Sequence, residues 1–170
     1  SMSVRENLMM VPPQQSGETL WNTWFGRKRI ANEERARQAK ADEVIDFLTI
    51  SHLKQEKAGN LSGGQKKLLE LGRTMMVDAK IVSLDEVGAG VNRTLLGTIS
   101  DAILRLNQER NYTFVVIEHD MDFIGKLCDP VICMAEGKVL AEGTLEEIKA
   151  NEQVIEAYLG TGLKNKAVAQ

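Results

Sequence analysis

Cysteine is scarce in this 170-residue chain: Cys128 and Cys133 are the only two. They lack metal-ligand spacing and have no histidine close by, which excludes a disulfide framework and a zinc site. Both read as reduced core thiols of a cytosolic protein. Long hydrophobic runs are missing too, so nothing approaches the length of a membrane span. The first residues show no charged head followed by an apolar stretch, the pattern of a secretory signal. An excess of basic charge is absent: 21 Lys and Arg face 24 Asp and Glu, for a net charge of -3. Bulk electrostatics therefore offer nothing to a nucleic acid. No internal repeat is visible. What remains is ordinary for a globular protein, with 43% hydrophobic and 26% charged residues, and is enough for one domain with a real core.

Secondary-structure signals change character along the chain. Val4 to Met10 is a short apolar segment, read as the end of a helix. Residues 11–28 hold Pro12, Pro13, Gly17 and Gly26 around Trp21, Trp24 and Phe25, a loop whose aromatics form either a local mini-core or a contact surface. Arg29 to Ile50 is rich in Ala, Glu, Arg and Lys, carries a Glu33/Arg37 pair at i,i+4, and reads as one helix. A second helix is expected from about Gln65 to Val77, with Leu68, Gly72, Met75 and Met76 at helical spacing. Then come a short apolar run, Ile81 to Leu84, a helix from Thr94 to Arg110, and a β-branched run, Thr113 to Ile117. Strand, helix, strand is the signature of a parallel βαβ unit. Val131 to Met134 and Lys138 to Ala141 flank Ala135-Glu136-Gly137 as a hairpin. Thr144-Leu145-Glu146-Glu147 fits a capping box. A last helix, about Glu152 to Leu159, stops at Gly160, and residues 161–170 read as a frayed tail.

The stretch NLSGGQKKLLELGR, Asn60 to Arg73, places a serine and two glycines directly before a helix. A helix N-terminus offers free N–H groups and partial positive charge. Gly63 and Gly64 allow close approach of backbone to an anion, and the Ser62 hydroxyl adds a donor. Gly59 and Gly64 stand as far apart as the glycines of a phosphate-binding P-loop, but Gln65-Lys66 follows where Lys and Ser/Thr are needed. The residues before, Ser51 to Lys57, are polar rather than a buried strand. No P-loop pattern occurs anywhere in the sequence. The bland reading is a glycine turn capped by Ser62.

The string Leu61-Ser62-Gly63-Gly64-Gln65 matches the signature motif of ABC-type ATPases letter for letter. Further strings carry the same resemblance. Ile81-Val82-Ser83-Leu84-Asp85-Glu86 resembles a Walker B motif at the carboxyl end of a buried strand, where ligands bind in open α/β sheets. The resemblance implies that Asp85 holds Mg²⁺ and that Glu86 polarises the attacking water. Val87 stands where most members have Pro. Gly90-Val91-Asn92 takes the place of the D-loop, with Asn92 instead of the commoner Asp. His119, after the second strand, matches the switch histidine that contacts the γ-phosphate; His52 has no such context. Val4 to Leu8, the Gln65-to-Arg73 helix, Gly88 to Asn92 and Gly137 to Gly143 look like the branched-chain amino acid importer branch.

The resemblance covers Val4 to Gly160 and implies an α/β fold. An incomplete RecA-like P-loop NTPase core with a parallel sheet would join an ABC α-helical subdomain. The helical subdomain with the signature would occupy residues 1–78, and the Walker B and switch-histidine part of the core residues 79–160. The sequence reads as starting just after the family's glutamine loop. The implied function is that of the ATP-binding subunit of an ABC importer, with ATP and Mg²⁺ as cofactors. Catalytic roles fall to Glu86 and His119, metal binding to Asp85, and nucleotide contact to Ser62, Gly63, Gly64 and Gln65. In the family the signature closes over ATP held by the opposite subunit. The implied partners are thus a second nucleotide-binding subunit and transmembrane permease subunits, the latter meeting residues 4–61. The implied location is the cytoplasmic face of the plasma membrane, held peripherally. A rival reading is a pairing module without catalysis. An ABC-type ATPase of DNA repair is disfavoured by the lack of heptads and of a basic stripe. Lacking the strand of a P-loop, the apolar strands at Thr113 and Val131 are expected to find other cover. Either they collapse together or a second copy supplies a segment, giving an edge-paired or swapped homodimer, the favoured outcome.

Overall fold

The computed structural model describes residues 2–12 and 27–159. Residues 13–26 of the loop read above, with its tryptophans, and the tail lie outside the described residues, while Arg27 and Lys28 are helical rather than part of a loop. The chain divides into two compact units, residues 1–115 and 116–170.

The first unit is mostly helical. Helix α1 (Val4–Met9) is a complete short helix rather than the end of one, because Ser3 and Glu6 close a capping box around its first turn. Ser3 forms a one-residue bridge with Lys57, and Val4 N donates to Glu56 O at 2.9 Å. Helix α2 (Arg27–Phe47) ends three residues before the expected Ile50. Thr49 there adopts a positive φ of 58°, which breaks the helical run. Helix α3 (Gly63–Met76) follows two single-turn 3₁₀ segments. These helices meet at Gly72, where a Cβ would stand 2.9 Å from Leu48 Cδ1 and 3.2 Å from Leu8 Cδ2. Leu8, Ile45, Leu48 and Leu68 are almost fully buried around that crossing, so the core of the unit depends on an absent side chain.

Apart from the Ser3 bridge, no described residue before Ile81 is extended in a strand. Strand β1 (Ile81–Asp85), helix α4 (Arg93–Arg110) and strand β2 (Thr113–Ile117) then form the expected βαβ unit. The two strands are neighbours in a parallel sheet. The strand was expected to be buried; instead β1 buries only Val82, and Ile81 is 71% exposed. Helix α4 begins at Asn92, whose side chain accepts from Leu95 N at 2.9 Å. It ends at Asn111, in a left-handed conformation that Asn tolerates.

The second unit builds on a hairpin. Strands β3 (Val131–Ala135) and β4 (Lys138–Gly143) pair antiparallel through a turn at Glu136 and Gly137, both with positive φ. A bulge at Cys133/Met134 shifts the register so that Met134 faces Val139. One face packs on helices: α5 (Met121–Leu127), α6 (Leu145–Ala150) and α7 (Glu152–Leu159). Ile124, Val131, Ile148 and Val154 form the cluster, with Cys128 and Cys133 packed against it. The other face leaves Ile132, Met134 and Val139 exposed. Thr144 and Glu147 form the expected capping box. Helix α5 was not anticipated, although Asp120 caps it at two backbone N–H groups.

Candidate functional site

The first turn of α3 is the strongest feature of the first unit. Leu61 is buried and anchors the approach. Ser62 leaves in an extended conformation and the helix starts at Gly63. Ser62 Oγ accepts from Gln65 N at 3.4 Å, and Gln65 Oε1 accepts from Ser62 N at 2.9 Å. The box satisfies one orphan donor from each side and fixes the Gln65 side chain. Helical geometry leaves the N–H groups of Gly63 and Gly64 without intrahelical acceptors. Ser62 and Gly63 are exposed, and the Ser62 hydroxyl still has its own proton to donate. Such a turn is chemically suited to an anion.

The two glycines differ. A Cβ on Gly63 would find only Gly90 O, at 3.9 Å. A Cβ on the buried Gly64 would stand 2.2 Å from Leu95 Cδ2 and 2.9 Å from Val91 Cγ1. The segment Gly88 to Asn92 therefore lies directly against the signature turn of the same chain. In the sequence Leu95 reads only as one residue of the apolar face of the Thr94–Arg110 helix, and nothing there connects it to Gly64.

Asp85 is exposed at the end of β1. Glu86 follows in the left-handed region, at φ 45°, a conformation that costs a non-glycine residue energy and is concentrated at functional sites. Its carbonyl accepts from Ala89 N at 3.2 Å, and Val91 N donates to Gly88 O at 3.1 Å. Val87 is buried beside the turn. A cavity of about 170 Å³ lies beside it, lined by Lys67 and Thr74 from α3, Val82 to Asp85 from β1, and Ile103 from α4.

His119 belongs to the second unit. Its side chain is 71% exposed, with Nδ1 3.8 Å from Glu118 Oε2, whereas the Glu118 side chain is almost fully buried. A buried carboxylate beside the histidine is not legible in the β-branched run that precedes it.

Among the described residues, no group of three His, Cys, Asp or Glu converges as a metal cage. One exposed carboxylate at a strand end nevertheless fits Mg²⁺, which retains waters and is commonly held by one or two carboxylates plus the phosphates of its nucleotide. Asp85 is the residue that would hold it.

The described residues contain no helix long and apolar enough to cross a membrane. A sequence profile described as "ABC transporter" matches residues 1–89, and one described as "Branched-chain amino acid ATP-binding cassette transporter" matches residues 138–164. The Archaeoglobus fulgidus protein named "Probable branched-chain amino acid transport ATP-binding protein LivG" is 40% identical over 159 residues, 94% of this chain and 60% of that protein. The high-affinity branched-chain amino acid transport ATP-binding protein LivG of Escherichia coli is 32% identical over 163 residues, 94% of this chain and 62% of its own length. The chain thus spans about three-fifths of these curated relatives. A crystal structure of the ADP conformation of an ATP-binding cassette of an ABC transporter superposes with a TM-score of 0.72 at 36% identity, covering 94% of this chain and 63% of that one. The α/β fold with its parallel sheet is accordingly that of ABC ATPase cassettes, a P-loop NTPase fold. From the profile over its first half and these likenesses, the chain belongs to the ABC transporter family, within its ATP-binding domains.

Proposed function

We propose that the chain is the signature-bearing part of the ATP-binding subunit of an importer for branched-chain amino acids. The observation that carries this reading is the exposed, capped first turn of α3 in a chain 31–40% identical to branched-chain amino acid transport ATP-binding proteins. Residues 1–78 act as the helical subdomain and meet the transmembrane permease subunits. Residues 79–160 belong to the α/β core. The subunit sits in the cytoplasm, peripherally on the inner face of the plasma membrane.

In this reading Ser62, Gly63, Gly64 and Gln65 face the γ-phosphate of ATP held by a second nucleotide-binding subunit. The N–H groups of the turn and the Ser62 hydroxyl donate to it, stabilising charge without moving. Asp85 holds Mg²⁺, which neutralises phosphate charge when bound. Glu86 orients the attacking water, and His119 donates to the γ-phosphate. Each role rests on resemblance joined to exposure and position in the fold.

A second reading, a pairing module without catalysis, is separable from the first by experiment. Mixing the chain with a complete nucleotide-binding subunit and a full set of permease subunits in vesicles separates the two. Amino-acid uptake driven by ATP, lost in Ser62→Asp, supports the first reading. ATP-dependent pairing that never drives uptake supports the second.

A further inference from the structure

We propose that Leu95, backed by Val91, is the positioning residue of the signature turn, and that residues 64 and 95 form a size-matched pair. The first turn of α4 fills the space that any side chain at position 64 would need. A Cβ there would meet Leu95 Cδ2 at 2.2 Å, Leu95 Cγ at 2.8 Å and Val91 Cγ1 at 2.9 Å. Rotating the leucine tip relieves only the first of these contacts. The second and third involve atoms closer to the backbone, and that backbone is pinned. Asn92 Oδ1 accepts from Leu95 N at 2.9 Å, and Val91 N donates to Gly88 O at 3.1 Å.

Gly63 supplies the internal control. Its hypothetical Cβ has only one neighbour, Gly90 O at 3.9 Å. Of two consecutive glycines in one motif, the exposed one has room for a methyl group and the buried one has none. The glycine at 64 is therefore fixed by its own chain, whatever ligand the turn meets. It follows that the Ser62 turn and the Gly88–Asn92 segment move as one body. The segment begins two residues after Glu86, so displacement of the turn is passed to the backbone that carries that carboxylate.

The test is a double-mutant cycle with rescue. Gly64→Ala, Leu95→Ala, the double variant and Gly63→Ala are compared by amide hydrogen exchange of Gln65 and Lys66 in the chain alone. Their N–H groups bond Ser62 Oγ and Ser62 O, so they report the pose of the turn. Gly64→Ala should speed their exchange by about tenfold or more, the scale of overpacking penalties. Gly63→Ala should change it little. The double variant should recover most of that change, the Val91 contact at 2.9 Å being the part that Leu95→Ala leaves in place. A double variant no slower than Gly64→Ala overturns the proposal, as does Gly64→Ala with unaltered exchange.

A second arm rests on the function proposed above. ATP-dependent pairing with a complete nucleotide-binding subunit should weaken in Gly64→Ala and recover in the double variant. Exchange that is rescued without recovery of pairing overturns the positioning role. Rescue of exchange in a chain whose parent never pairs supports the packing relation and defeats the functional reading instead.

Discussion

The guanidinium carbon of Arg105 lies 4.0 Å from the centroid of the Phe47 ring, and Arg105 Nη1 donates to the Phe47 carbonyl at 3.0 Å. One side chain of α4 thus stacks on the last residue of α2 and occupies one of the carbonyls that its C-terminus leaves open. Replacing Arg105 with Ala should cost about 1–2 kcal/mol, combining a half-exposed cation–π contact with a charge-assisted hydrogen bond. Lys should recover only part of this, because an ammonium cannot both stack as a plane and donate sideways. Urea unfolding followed by helical circular dichroism is the measurement. An unshifted midpoint in Arg105→Ala would show the contact to be energetically idle.

Ser62 has two separable duties. As N-cap it accepts from Gln65 N; as proposed signature residue it donates toward a phosphate. Asp caps a helix as well as Ser does, but places negative charge where an anion should approach. Ser62→Asp should leave thermal stability within about 0.5 kcal/mol of the parent, the range of a conservative cap exchange. It should abolish ATP-driven pairing with a complete nucleotide-binding subunit. Ser62→Ala should do the reverse in kind, lowering stability by about 1 kcal/mol and weakening pairing less. Sedimentation with and without Mg-ATP reads the pairing. Undiminished pairing in Ser62→Asp removes the turn from the nucleotide interface.

The isolated chain should not turn over ATP. Positioning and charge neutralisation by a P-loop and its lysine account for most phosphoryl-transfer catalysis, and that pattern does not occur in these residues. Nucleotide affinity should be in the millimolar range or weaker. A few hydrogen bonds of about 1–3 kcal/mol each stand against an association cost of at least about 4 kcal/mol. Phosphate release that disappears in Glu86→Gln, or micromolar binding by calorimetry, contradicts this account and requires a second phosphate site.

Cys128 is partly buried against the second unit's core, and that burial raises its thiol above the ordinary value. The thiolate is the reactive form. In a Cys133→Ser background, alkylation of Cys128 by iodoacetamide should accelerate only at a pH above the ordinary thiol range. The folded state holds this proton more tightly than the unfolded chain, so stability contributed by the buried thiol is complete below the unfolded pKa. It falls as pH rises through the folded one. A rate profile with its midpoint at or below the ordinary thiol value excludes this environment.

Local signals were the legible part of this fold. Thr144 and Glu147 announce their helix because a capping box needs only four consecutive residues. The βαβ unit and the hairpin are likewise readable from apolar runs and turn residues. Helix α5 is not legible in the sequence because its two turns, Met121 to Leu127, are too brief for periodicity to stand out. The signature was legible as a string, but the reason for Gly64 was not. Its determinant, Leu95, sits on a different element, and no spacing rule connects them. Ile81 was read as a buried strand residue because apolar runs signal burial, whereas exposure depends on what covers the strand.

The strand edges supply the last prediction. Among the described residues β3 pairs only with β4, along one edge. A second copy of this chain is the occupant we propose for its open side. Hairpins of two strands are marginal without further cover, and the open face of this one carries Ile132, Met134 and Val139, each more than half exposed. Neither Pro nor charge guards the interior of β3. Two copies present the same apolar patch to each other, which a two-fold axis can satisfy at once. Light scattering after size exclusion should therefore give a mass above the 18.9 kDa of one chain, rising with concentration. Placing Lys at Ile132 and Met134 guards the edge without touching the packed face, and should return the chain to monomer with its helix content intact. A strictly monomeric parent at high concentration, or a dimer indifferent to the two lysines, shows that these strands are not where copies meet.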